Sequence, residues 1–303
     1  MVASERGPYH MILTFASINA DLIVPVPNLP QPGETVLGGS YSLLPGGKGA
    51  NQALAAHRAG AEVMLVGAIG RDAFGATAVS SLDSEGVDMR LVRDLELSTG
   101  CAMIMVSATG ENTIAVAPGA NMGVRSDWVP DDLLGPDTIL VAQLEVPVCE
   151  TQALIRRARR CGSRCLLNLA PALPIDFKVL PDIDIVVANE SEAATLATDL
   201  PGIARRLSQG LVITRGAAGA SALLRDGSRF EVPALAIDAV DTTGAGDTFV
   251  GVLAASLDLG ANLEAGLRRA SAAAGLACLA RGAQTAMPRA AAIDAALADL
   301  AKS

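Results

Sequence analysis

Ile183-Asp-Ile-Val-Val-Ala-Asn189-Glu-Ser-Glu192 joins an apolar run of strand length, Ile183–Ala188, to a polar corner and then to a helical pattern over Ser191–Ala197. A strand covered on both faces reads as an unbroken apolar run, and in open α/β sheets ligands gather just beyond the carboxyl ends of such strands. The same unit recurs on both sides of it. Apolar runs stand at Ile12–Ser17, Glu62–Ala68, Thr138–Ala142, Cys165–Asn168 and Leu211–Thr214, with helical stretches at Ala50–Ala59, Gly75–Glu85 and Val148–Cys161. Repeated βα units predict an α/β fold with a central, mostly parallel sheet flanked by helices.

Two segments break the rhythm. Asp21–Leu44 holds Pro25, Pro27, Pro30 and Pro32, then the β-leaning Thr35–Val36 and Tyr41–Leu44, with no helical period. Gly100–Ala117 alternates through Met105, turns at Thr109–Asn112 and resumes at Thr113, which reads as a hairpin. Both are expected to be antiparallel β excursions that together form a small lid. From Gly246 onward the pattern is helical, with breaks at Gly260 and Gly282, and no linker divides residues 1–303 into two domains.

The 303 residues are 50% hydrophobic and 18% charged, with mean hydropathy +0.39, which excludes a disordered chain. A net charge of −9 argues against a broad nucleic-acid footprint. No run approaches the ~20 apolar residues of a membrane span, and Glu5 and Arg6 ahead of Met11–Ile18 lack the grammar of a signal peptide. The expectation is a cytoplasmic protein. Cys101, Cys149, Cys161, Cys165 and Cys278 form no CxxC pair; with only His10 and His57 beside them, a thiolate metal site has little to draw on.

Asp241-Thr-Thr-Gly244-Ala245-Gly246-Asp247-Thr248-Phe249 places glycines directly ahead of a helix. Converging backbone N–H groups and the positive helix end suit an anion. An acid inside that turn suits a general base that takes the proton of an attacking hydroxyl; a helix N-cap is the competing reading. Pro45-Gly46-Gly47-Lys48-Gly49-Ala50-Asn51-Gln52-Ala53 is a second glycine turn before a helix, suited to a small polyhydroxylated ligand or to nothing beyond a tight turn. It is no Walker A loop, and no G-x-G-x-x-G follows the first strand. Asn19 and Asp21 lie just past the first strand and share a face of an extended chain, either as hydroxyl ligands or as turn residues. Glu145, Glu190 and Glu192 follow two further strands at the same sheet edge, where Asn189 and Glu192 suit Mg²⁺ held through water and Glu190 and Glu192 also suit a solvated helix start.

Together these segments resemble the PfkB carbohydrate kinases nearly end to end. Gly46–Ala53 is similar to the first family signature, Asp241–Asp247 to the second, and Asn189-Glu-Ser-Glu192 to the intervening N-x-x-E motif. Ser17–Asp21, Pro32–Thr35, Gln143–Glu145, Asn168–Pro171 and Gly282–Gln284 follow in family order. The resemblance implies a ribokinase-like fold and ATP-dependent transfer of the γ-phosphate to the O5 hydroxyl of D-ribose. Another sugar such as fructose or a deoxy sugar, or a nucleoside, is the alternative acceptor, and catalytically silent sugar binding is a more distant one. It further implies Asp247 as base, Gly244, Ala245 and Gly246 as anion hole, and Asn19, Asp21, Gly47, Lys48, Asn51 and Glu145 around the sugar. Asn189, Thr214, Arg215, Gly216, Gly219 and Gly246 would meet the nucleotide, Asn189 and Glu192 would manage Mg²⁺ through water, and Asp241, Thr243, Ala277, Ala280, Gly282 and Thr285 would hold K⁺. A homodimer through the lid strands is expected. The chain departs from the family pattern at Arg215, where an uncharged residue is usual, at Val252, where Ala or Gly is usual, and at Leu169, where Pro is usual.

Overall fold

The computed structural model describes residues 10–196 and 199–300, so Ala197, the N-terminal Glu5 and Arg6, and the last residues of the 1–303 reading lie outside the described residues. The chain begins with β1 (Met11–Phe15), β2 (Asn19–Val26), β3 (Ser42–Gly46), α1 (Lys48–Arg58), β4 (Val63–Gly70) and α2 (Gly75–Glu85). It continues through β5 (Asp88–Leu95), β6 (Gly100–Ser107), β7 (Asn112–Ala117), β8 (Thr138–Ala142), α3 (Val148–Arg160), β9 (Arg164–Asn168) and β10 (Ile185–Asn189). Then come α4 (Glu190–Leu196), α5 (Leu200–Arg206), β11 (Gly210–Thr214), β12 (Ala220–Leu224) and β13 (Arg229–Val232), and last α6 (Ala245–Asp258), α7 (Leu263–Ala277), α8 (Ala283–Ala286) and α9 (Ala290–Leu300).

Nine strands form the main sheet in the order β13-β12-β11-β10-β9-β8-β1-β4-β5. Every pair from β11 to β5 is parallel, and the β11–β12 and β12–β13 pairs are antiparallel. The apolar runs are continuous because each strand feeds two cores. Ile12, Leu65, Ile139 and Val187 pack with the alanine-rich faces of α1, α6 and α7, while Leu13, Phe15, Val66, Leu140 and Val186 pack on the opposite face with Leu154, Ile155 and Ala158 of α3. Strand order reverses around β1, which lies between β4 and β8, so the chain departs to opposite sides there and leaves a crevice above the carboxyl ends.

The segments expected to form the lid build a separate four-stranded sheet, β3-β2-β6-β7. The β2–β3 and β6–β7 pairs are antiparallel, but β2 and β6 run parallel from Asn19↔Gly100 to Val26↔Ser107, which corrects the expectation of a purely antiparallel excursion. Both strands rise from the same edge of the main sheet, β2 a few residues after β1 and β6 a few after β5, and so share a direction. Thr35–Val36 forms no strand; Pro27, Pro30 and Pro32 remove backbone donors from the stretch before it. Helices begin after Gly260 and after Gly282 as expected, at φ of 89° and 91° for the two glycines.

No helix among the described residues is long and apolar enough to cross a membrane. All five cysteines are free, and no group of three or more His, Cys, Asp or Glu side chains placed to hold a metal occurs among the described residues.

Candidate active site

The site is assembled at the carboxyl edge of the main sheet, between the start of the lid and the first turns of α1 and α6. Gly244 adopts a left-handed conformation (φ 74°) and ends the loop into α6. The first N–H groups of a helix have no intrahelical acceptor, and Gly246 has open space where a Cβ would point, so an anion can approach this backbone closely. Asp247 is the third residue of α6, with no side-chain cap bond, which overturns the N-cap reading. It is buried, and its two carboxylate oxygens accept from Asn51 Nδ2 (3.0 Å) and Gln52 Nε2 (3.1 Å).

Those donors reach Asp247 because α1 and α6 are in close contact at Gly251. A Cβ there would lie 2.7 Å from Ala55 Cβ and 2.9 Å from Ala56 N, and closer still to the Gln52 carbonyl oxygen. Val252, the family departure in the next position, is fully buried in the core.

On the lid side, Asn19 Oδ1 accepts from Asn121 Nδ2 (2.7 Å), and Asn121 Oδ1 accepts from Ile18 N (2.8 Å). Asp21 lies two residues along β2, under Gly46, whose missing side chain is the space its carboxylate occupies. Burial, then the nearby charges of Glu145 and Asp247, push Asp21 up to about 7. Glu145 Oε2 accepts from Ser17 Oγ (2.7 Å) and from Lys48 N (3.0 Å), tying β8's end to β1's end and to the Gly47 turn. Lys48 lines a pocket of about 240 Å³ together with Asn168, Asn189, Glu192, Thr214, Gly244, Gly246 and Asp247. The Asp247 charge holds the Lys48 ammonium above its usual value against the opposing effect of burial, with Glu145 and Glu192 adding to it.

Asn189 and Glu192 cap each other: Asn189 N donates to Glu192 Oε2 and Glu192 N to Asn189 Oδ1, both at 2.8 Å. Both residues line the pocket, a donor set that fits Mg²⁺ carried by phosphates and water but no all-protein cage. Glu190 is exposed and outside the pocket lining, whereas Glu145 and Glu192 both act on the Lys48 ammonium, so two of the three expected carboxylates meet around Lys48. Asp241 Oδ1 accepts from Thr243 N (2.9 Å) and Thr243 Oγ1 (2.7 Å), and Oδ2 from Gly282 N (2.9 Å). This carboxylate, whose own backbone N–H donates to the Cys278 carbonyl at the end of α7 (3.2 Å), fits a hard monovalent cation with oxygen ligands. The Thr285 hydroxyl, beside Gly282, donates to the Arg281 carbonyl (2.9 Å). Thr214 lines the pocket, whereas Arg215 extends to Glu231 on β13 (3.1 Å), and Gly216 and Gly219 shape its turn with φ of 53° and 84°. Leu169, the remaining departure, is buried just after β9 and donates its N–H to Val187.

A model of the pfkB family carbohydrate kinases matches residues 10–290. The chain belongs to the pfkB family of carbohydrate kinases. Among pfkB proteins it is similar to the ribokinase of Haemophilus influenzae, 34% identical over 291 residues that span 91% of this chain and 95% of that protein. It is likewise similar to the deoxyribokinase of Salmonella typhi, 32% identical over 91% of this chain and 95% of that one. The structure of Arabidopsis thaliana ribokinase complexed with ribose and ATP superposes with a TM-score of 0.86 and 29% identity, covering 95% of this chain and 98% of that one.

Asn121, Gln52 and Gln284 belong to the site without having been assigned a role from sequence. Gln52 and Gln284 lie inside the quoted motifs, but an amide with no charge announces no chemistry. Asn121 sits in a short 3₁₀ turn after the lid, and nothing in its local sequence marks it.

Proposed function

We propose that this pfkB kinase transfers the γ-phosphate of ATP to the O5 hydroxyl of D-ribose, giving ribose 5-phosphate. The observation that carries the reading is the buried Asp247, held by two amide donors at the mouth of a glycine-lined helix terminus. The acceptor lies over Asn19, Asp21, the Gly47 turn, Asn51 and Glu145, which between them offer the donors and acceptors that vicinal hydroxyls need. Asp247 accepts the O5 proton as the bond to phosphorus forms, and the N–H groups of Gly244, Ala245 and Gly246 face the transferred group. Lys48 offsets its charge. Thr214, Arg215, Gly216, Gly219 and Asn189 flank the rest of the nucleotide. Mg²⁺, held through water by Asn189 and Glu192, would neutralise phosphate charge. K⁺, held by the Asp241, Thr243, Ala277, Ala280, Gly282 and Thr285 segment, would shape the field of the anion hole. The lid covers the acceptor, two copies pair through lid strands, and the enzyme works in the cytoplasm.

Similarity to a deoxyribokinase supports a second reading in which the acceptor lacks the 2-hydroxyl. ADP release with D-ribose, 2-deoxyribose, D-fructose and adenosine, each in KCl and NaCl, separates the acceptors. Ribose is expected to turn over fastest, and faster in K⁺; preference for another acceptor would discard ribose and keep the mechanism. Asp247→Asn is expected to lower kcat at least ~10²-fold with folding intact.

A further inference from the structure

Two glutamines outside the set of groups proposed to meet substrate converge on the base. Gln52, on α1 and 1% exposed, donates from one Nε2 to Asp247 Oδ1 (3.1 Å) and to Asn168 Oδ1 (2.9 Å). Gln284, on α8 and 2% exposed, donates from Nε2 to Asn51 Oδ1 (3.0 Å), and Asn51 passes a bond on from Nδ2 to Asp247 Oδ2.

Asp247 sets the direction of every link. An ionised carboxylate only accepts, so Asn51 and Gln52 must turn their NH₂ groups toward it. The Asn51 carbonyl then faces Gln284, which must donate. On the other branch Asn168 accepts through Oδ1 and spends its own Nδ2 on the Val187 carbonyl (3.1 Å). Both ends are pinned to backbone: the Gln284 carbonyl is gripped by Arg58 Nη1 (2.5 Å), which also holds the Met287 carbonyl (3.0 Å) while its Nε donates to Glu85 (2.9 Å).

The amide oxygens of Gln52 and Gln284 are buried and find no protein partner. A side chain present only to fill that interior would be Leu or Met and would avoid this desolvation penalty. The penalty is tolerated where the NH₂ groups are needed.

We infer that Gln52 and Gln284 are positioning residues for phosphoryl transfer, fixing the plane of the Asp247 carboxylate so that it faces the acceptor hydroxyl. Gln52 grips the base directly, and Gln284 acts through Asn51. The inference rests on Asp247 being the base.

Gln52→Met keeps the length of the side chain and removes the donor. Loss of one hydrogen bond to a charged group predicts a fall in kcat of roughly 10- to 100-fold, with the sugar KM changed less than about threefold. Gln284→Met, one bond further away, is expected to lose roughly 3- to 10-fold in kcat. The deciding measurement is the double mutant with Asp247→Asn. A residue that acts through Asp247 adds less than about twofold once the base is gone, whereas a residue that merely supports the fold lowers kcat by the same factor in either background. Parent-like kcat in Gln52→Met, or equal losses with and without Asp247, would overturn the inference. If Gln52→Met does not fold, Gln284→Met is put through the same cycle. Should Asp247→Asn alone keep near-parent turnover, the base assignment itself fails, a result separate from either outcome above.

Discussion

Replacing Gly251 by alanine tests whether the contact between α1 and α6 is what builds the active site. The added Cβ would start 2.7 Å from Ala55 Cβ and 2.9 Å from Ala56 N, against the ~3.5–4.0 Å of an ordinary carbon contact, so the helices must part by about 1 Å. Asn51–Asp247 and Gln52–Asp247, now 3.0 and 3.1 Å, would open toward ~4 Å, beyond hydrogen-bonding range. A displacement of ~1 Å at the reacting groups costs on the order of 10²-fold in turnover. Overpacking of a filled core costs about 1–3 kcal/mol. At roughly 2–4 °C per kcal/mol for a chain of this order of size, the melting temperature falls by several degrees. ADP release measured beside thermal unfolding separates the two effects. A variant with lowered melting temperature but kcat within about twofold of the parent would show that the strain relaxes elsewhere and that the helix contact does not set the base.

Two further predictions follow from the site and the lid. Asp21, raised to about 7 from an ordinary 3.8, keeps in the folded state a proton that the unfolded chain has already lost. Stability of the unliganded protein therefore declines as pH rises from about 4 to about 7 and is level above; Asp21→Asn should flatten that slope and be the more stable protein at pH 8, and identical pH profiles of denaturant midpoint would refute it. In the lid, Ile114 (53% exposed) and Val116 (48% exposed) form an uncovered apolar row on β7. Ile114→Lys with Val116→Lys should convert the proposed dimer to monomer in sedimentation without changing the melting behaviour of the monomer, and an unchanged sedimentation coefficient would remove the lid from the interface.

The parallel core was legible because burial on both faces writes itself as an apolar run. Thr138–Ala142 and Gly75–Glu85 match their elements to the residue, and the other predicted strands are displaced by one or two positions. The main-sheet strands that sequence reading missed, β5, β12 and β13, lie at or next to the two ends of the sheet. β5, with Asp88, Arg90, Arg93 and Asp94, carries the charges that blunt an edge against pairing and so lacks the apolar signal. β12 and β13 form a hairpin around Asp226-Gly227-Ser228, a turn signal that was present but lay beyond the βα rhythm. Charged and glycine-rich motifs pointed to the candidate site, because their chemistry is visible one residue at a time. Its amide framework was not legible: Gln52 and Gln284 are 232 positions apart in sequence and matter only through Asn51 and Asp247, which tertiary packing brings to them.

If Asn19 and Asp21 bind the acceptor as proposed, their placement accounts for a preference for a sugar over water. Both residues lie on β2, the strand that leaves β1 after three residues and becomes the middle of the lid sheet, where it pairs with β3 and β6. Any motion of the lid therefore moves these two groups together, while Asp247 stays with α6 and the core. An acceptor that bonds to Asn19 and Asp21 and also reaches Asp247 links the lid to the core directly, and its binding energy favours the closed arrangement. A water molecule at Asp247 spans no such distance. It would leave the proposed lid without a reason to close and the proposed anion hole wet, where N–H groups act on developing charge more weakly than in a site from which water is excluded. In the proposed reaction, discrimination against hydrolysis would thus follow from which groups sit on β2 and which on α6.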